Sequence, residues 1–222
     1  MVLGLVISLD KRTKDILVAS VAIGAAAVAL YFGFAGSSQK INLDPYQVLG
    51  AVTAEETAKL LGNKGQVLVM APDTGANRNP SVEAEMKAFH QTLEKQKGMR
   101  VITEKISATP MLMMATGGGV PPEQFFKALE SHPNVGAVVL FFGFPQLTDP
   151  ELETLKKYGV KTVVVSSFRP SYKRLMERQA IHLAIAPRSD TPPPVAQAPR
   201  TLRERFDQEF SIITSAEAAR LP

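Results

Sequence analysis

Cysteine is absent from all 222 residues. That excludes disulfides, thiolate metal sites, a cysteine nucleophile and a lipid anchor on cysteine, and it leaves the compartment open. Also missing is any dense run of lysine and arginine interleaved with aromatics, the footprint of a nucleic-acid surface. The net charge of +4 and the isoelectric point near 9.3 describe a mildly basic solvated surface, so nucleic acid is not an expected partner. His90, His132 and His182 fall in separate segments without zinc-helix spacing. No G-x-S-x-G turn occurs. We therefore assign no metal, no cofactor and no catalytic residue, and expect a protein that is not an enzyme.

What is present begins with an uncharged apolar run over residues 16–35. Its length suits a helix crossing about 30 Å of hydrocarbon at about 1.5 Å per residue. Lys11, Arg12 and Lys14 precede it, which by the positive-inside rule keeps the N-terminus cytoplasmic and exports the rest. Tyr31, Phe32 and Phe34 suit the far interface. Gly24 and the alanines at 25, 26, 27 and 29 form a small-residue face of the kind that packs closely in lipid. We read the run as a single-pass anchor in the inner (cytoplasmic) membrane, with lipid as its partner. A cleaved signal peptide, with Gly33 and Ala35 ahead of Gly36-Ser37-Ser38, and a buried soluble helix are the alternatives.

Beyond a short polar linker the chain alternates strand and helix patterns. Residues 45–52 read as irregular, and Thr53 with Glu56 as a capping box opening a helix that ends at Gly62. Gln66 to Ala71 is a continuously apolar run between Gly65 and Pro72, as in a strand covered on both faces. A helix starts at Pro80-Ser81 with Ser81 as cap, and Val82, Met86, Phe89 and Leu93 share one face. Further strands fall at 100–106, alternating and therefore near an edge, and at 135–142, 161–166 and 181–186. Helices begin at Pro121-Pro122-Glu123 and Asp149-Pro150-Glu151, and a short basic one covers 171–179. Residues 110–120 read as a loop holding Met111, Met113, Met114 and the run Gly117-Gly118-Gly119. A glycine run before a helix can cradle an anion, but no P-loop Lys-Ser/Thr follows. This alternation predicts an α/β domain over residues 41–188, a single doubly wound parallel sheet.

In such sheets ligands bind where strand carboxyl ends meet helix N-termini. Asp73, Thr74, Asn77 and Arg78 after the first strand, with Ser166, Ser167 and Arg169 after the fourth, are the candidate ligand-binding residues, with Lys173 beside them. Residues 189–222 form a proline-rich linker, semi-rigid and extended, and an amphipathic helix over 201–214. Leu202, Phe206, Phe210 and Ile213 line one face of that helix; the stripe either docks back on the chain's own domain or makes these four residues candidate partner contacts.

Four phrases, AEETAKLLGNKGQVLVMAP (54–72), EAEMKAFHQTLEKQKGMRVI (83–102), FFKALESHPNVGAVVLFF (125–142) and YGVKTVVVSS (158–167), resemble one lobe of the type 1 periplasmic binding proteins, the sugar-binding family of bacterial ABC importers. The resemblance covers about half of the chain. It implies a lobe facing the periplasm or the outside, and a ligand held between two lobes. The sequence departs from the family at three places. Glu85 stands where the family has an arginine three residues before a glycine step, here Ala88. Gly143-Phe144-Pro145 replaces an Asn-Asp pair. Ser166-Ser167-Phe168-Arg169 replaces an aspartate at the end of the last strand. These departures, with a length after the membrane run that suits only one lobe, favour an accessory or structural subunit of a membrane complex, in contact with other membrane-protein subunits. A tethered solute-binding or sensing module for a small molecule is the alternative.

Overall fold

The computed structural model of the chain describes residues 20, 24, 28, 41–73, 75, 78–107, 109–141, 143–166, 172–188 and 201–218. The chain divides into two units, Met1–Ile41 and Asn42–Pro222. In the first, Ser20, Gly24 and Val28 are helical; the rest of the expected membrane span at 16–35 lies outside the described residues. Among the described residues no helix is long and apolar enough to cross a membrane.

The second unit is a three-layer α/β structure. In chain order it runs α1 (Asp44–Leu60), β1 (Gly65–Asp73), α2 (Pro80–Glu94), β2 (Met99–Ser107), α3 (Pro110–Ala115), α4 (Pro122–Ser131) and β3 (Ala137–Leu140). It continues α5 (Asp149–Tyr158), β4 (Lys161–Val165), α6 (Tyr172–Glu177), β5 (Leu183–Pro187), α7 (Leu202–Glu209), β6 (Phe210–Ile213) and α8 (Ser215–Ala218). The sheet order is β2-β1-β3-β4-β5-β6. The first five strands are parallel, and β6 pairs antiparallel with β5 from Pro187↔Phe210 to Ala184↔Ile213.

Strand alternation divides the core into two. Val67, Val69 and Ala71 of β1 face α1, α2 and α7; Leu68 and Met70 face the layer that holds Phe125, Leu152, Leu155 and Tyr172. Burial on both faces is why these strands read as unbroken apolar runs.

Six expectations are corrected. The sheet is mixed, because the run Phe-Ser-Ile-Ile at 210–213 leaves the helix and covers the otherwise open edge of β5. The helix expected over 201–214 accordingly stops at Glu209. Residues 45–52 are helical, since Pro45 sits in the first turn where its missing N–H costs nothing. Thr53 therefore lies inside α1 and donates its hydroxyl to the Leu49 carbonyl at 2.7 Å, instead of capping. The cap of α2 is Asn79, whose side chain accepts from the Ser81 and Val82 N–H groups, and not Ser81. Residues 110–115 form the helix α3, with the Thr109 hydroxyl accepting from the Leu112 N–H.

Candidate functional site

The strand order places a topological switch between β1 and β3. From β1 the chain moves outward to β2, then returns across β1 to β3 and on to β4 and β5. The connections leave the two neighbouring strands in opposite directions, which opens a crevice at their carboxyl ends. Strand length deepens it. β1 pairs with β3 only to Met70↔Leu140, but with β2 as far as Asp73↔Ser107. Ala71, Pro72 and Asp73 therefore extend past the end of β3. The Phe141 N–H closes the last rung by donating to the Met70 carbonyl at 3.1 Å.

Asp73 is exposed at this overhang, and its Oδ1 accepts the Gly75 N–H at 3.1 Å. That bond turns the chain towards α2, whose N-terminal N–H groups lie at the same edge. Arg78 is exposed, with Nε 3.8 Å from the Glu83 Oε1. Ser166 follows β4, is only 7% exposed, and donates its N–H to the Ile185 carbonyl at 3.0 Å. The structure thus puts Asp73, Arg78 and Ser166 on the carboxyl side of the sheet. Asp73 and Ser166 are not neighbours: β3 lies between their strands, so about 10 Å of sheet separates them. Thr74, Asn77, Ser167 and Arg169 lie outside the described residues. Lys173 is half-buried on α6.

The glycine run at 117–119 is held in place. Gly119 forms a parallel bridge with Gly143; the Gly143 N–H donates to the Gly118 carbonyl, and the Val120 N–H to the Gly143 carbonyl. A Cβ built on Gly119 would overlap the Phe144 carbonyl oxygen. This short ladder lies beyond the carboxyl end of β3. Sequence reading misses it because it joins segments far apart in the chain. Ser107, opposite Asp73, is missed for the same reason.

Glu85 lies on α2 against α1. It is 9% exposed, and its Oε1 has no hydrogen-bond partner. Burial pushes its carboxyl up from 4.5 to about 8, so it is protonated at neutral pH. The histidines make structural contacts. His90 Nε2 lies 3.0 Å from the Thr103 hydroxyl, and His132 Nε2 lies 2.9 Å from the Glu104 Oε1. His182 Nδ1 accepts the Thr162 N–H at 3.2 Å, and burial followed by the nearby Lys161 charge lowers its pKa.

The apolar stripe of Leu202, Phe206, Phe210 and Ile213 lies against the chain's own core. Phe206 and Ile213 are buried, and Leu202 and Phe210 pack half-buried against the core. Arg203 pairs with Glu56 and Arg205 with Asp44, fixing α7 to α1.

No protein-family model and no curated protein matches the chain. Solved structures do. An arabinose-binding protein from Geobacillus stearothermophilus is similar at 16% identity over 80% of this chain and 63% of its own, with a TM-score of 0.54. The sugar-binding protein of a sugar ABC transporter from Bacillus halodurans is similar at 14% identity, over 79% of this chain and 64% of its own, with a TM-score of 0.53. An ABC sugar transporter subunit from Rhodobacter sphaeroides matches at 15% identity, over 77% of this chain and 62% of its own, with a TM-score of 0.52. The chain spans less than two thirds of the length of each. At these identities the likeness is one of fold, and it extends well beyond the half of the chain that carries the sequence resemblance.

Proposed function

We propose that the α/β unit is an extracytoplasmic solute-binding or sensing module that takes a small polyhydroxylated ligand at the β1–β3 switch point. The observation that carries this reading is the β1–β3 switch in strand order, with the β1–β2 pair overhanging β3 and the Gly119–Gly143 bridge lying beyond its end. Asp73 supplies a carboxylate for hydroxyl groups, Ser107 stands opposite it at the end of β2, and Ser166 follows β4 on the far side of β3. The fold likeness to sugar-binding proteins of ABC transporters supports the same ligand class. Residues 16–35 then act as the tether, holding the module at the outer face of the inner membrane. The accessory-subunit reading is the weaker one, since its expected contact stripe on α7 and β6 is occupied by the protein's own core.

The test is thermal denaturation of the detergent-solubilised full chain against a panel of pentoses and hexoses. A ligand at about a hundred times its Kd adds about 2.7 kcal/mol and raises Tm by several degrees. Asp73→Asn should remove most of that shift without lowering the Tm of the free protein. A panel that leaves Tm unmoved at millimolar sugar contradicts the reading.

A further inference from the structure

The helix α3, which leaves the carboxyl end of β2, turns two methionines outward. Met111 is 82% and Met114 is 85% exposed, whereas Leu112 between them is half-buried. Three residues apart on a helix, they share a face with Cβ atoms about 5–6 Å apart. Three of the chain's eight methionines fall within residues 111–114.

Burial explains neither outward residue. Leucine serves an apolar contact as well, and this helix keeps its leucine inward and the thioethers of Met111 and Met114 in water. What a thioether adds is a soft sulfur lone pair.

The helix is also held firmly for so short an element. The Thr109 hydroxyl accepts the Leu112 N–H at 3.3 Å, and the Thr116 hydroxyl donates to the Leu112 carbonyl at 2.9 Å. The Thr116 and Gly117 N–H groups bond the Leu112 and Met114 carbonyls, and the glycine ladder to Gly143 follows directly. The sulfur pair is thus presented from a fixed backbone, so that only the side chains need be ordered when a ligand arrives.

We propose that Met111 and Met114 form a binding site for a soft monovalent cation, Cu(I) or Ag(I). Such ions prefer thioether and thiolate ligands, and a filled d shell lets them accept two sulfur donors without a fixed geometry. The chain has no cysteine to compete for the ion. Among the described residues no cluster of histidine and carboxylate side chains offers a harder site. The flexible methionine side chains can converge on one ion from positions three apart. This site is independent of sugar binding at the switch point and does not rest on it.

The test is isothermal titration of the full chain with Ag(I), a redox-inert probe, followed by Cu(I) under anaerobic conditions. The wild-type protein should take up one equivalent. The double variant Met111→Leu/Met114→Leu keeps shape and apolarity but removes both sulfurs. Outer-shell changes alone weaken metal sites by about tenfold or more, so the double variant should lose at least that much affinity. Met99→Leu, at a buried methionine of β2, should bind like the wild type. Absence of uptake by the wild type, or a loss below about tenfold in the double variant, overturns the proposal.

Discussion

The two helical layers grip the same sheet by different means. The layer of α4, α5, α6 and α8 is apolar and aromatic: Phe125, Leu129, Leu152, Leu155 and Tyr172 fill it, and Phe125 stacks edge-on against Phe126 and Phe144. The layer of α1, α2 and α7 has an apolar core too, with Val48, Val52, Phe89, Leu93 and Phe206, and adds to it close approach and charge. Gly50 lets α1 come so near α2 that a Cβ there would overlap the Glu85 carbonyl oxygen. Glu85 itself lies buried and unpartnered, and α7 is fastened by the Arg203–Glu56 and Arg205–Asp44 pairs. The first layer holds under any condition that preserves hydrophobic burial. The second holds best while one carboxyl keeps its proton.

The largest effects should come from the two aromatic centres. Phe125→Ala and Phe206→Ala each remove a fully buried ring, one per layer, and should each cost about 3–5 kcal/mol in chemical denaturation. Equal losses would show that the layers contribute alike through burial. Gly50→Ala should cost about 3 kcal/mol, the upper end for overpacking, because the atom it meets is backbone and cannot rotate away. A neutral Gly50→Ala would show that the α1–α2 seam is looser than described.

Glu85 makes the second layer depend on pH, and the sign follows from its raised pKa. Its folded value is about 8 against 4.5 for the free group, so the folded state holds a proton that the unfolded state releases. The stability carried by that proton is complete below 4.5 and disappears as pH rises through about 8. Glu85→Gln should stabilise the protein by roughly 2–4 kcal/mol near pH 8 and by little near pH 4. His182 acts in the opposite direction. Its pKa is lowered on folding, so stability falls as pH drops below 6.5, where the unfolded state takes up the proton. Denaturation midpoints of Glu85→Gln and His182→Gln across pH separate the two slopes. The smallest effect belongs to the surface pairs: Arg205→Ala should cost under about 1 kcal/mol, and less still at high salt.

The sheet was legible in the sequence because its strands are buried on both faces. Val67 to Ala71 and Val163 to Val165 carry no polar interruption, and a proline or glycine brackets most of the helices. Elements that depend on distant partners were not legible. Gly50 reads as a helix breaker until α2 is seen lying against it. Phe210 to Ile213 continues the spacing of α7, and only the open edge of β5 turns it into a strand. The location of the candidate site followed from the strand–loop–helix rhythm, which put Asp73 and Ser166 at strand ends. Its walls did not follow, because the overhang of β1 past β3 and the ladder at Gly143 are matters of register, and register between separate segments leaves no local pattern. The apolar stripe on α7 was legible as a stripe, but its periodicity carries no information about which surface it covers.

The central claim is that ligand is held at the carboxyl ends of β1, β3 and β4. Amide hydrogen exchange on the full chain, with and without saturating arabinose or whichever sugar raises Tm most, tests it directly. The account predicts new protection around Asp73, Ser107, Phe141 and Ser166, with exchange unchanged at the opposite edge around Gly65, Gly136 and His182. Protection confined to that opposite edge, or none at any strand end at saturation, contradicts it.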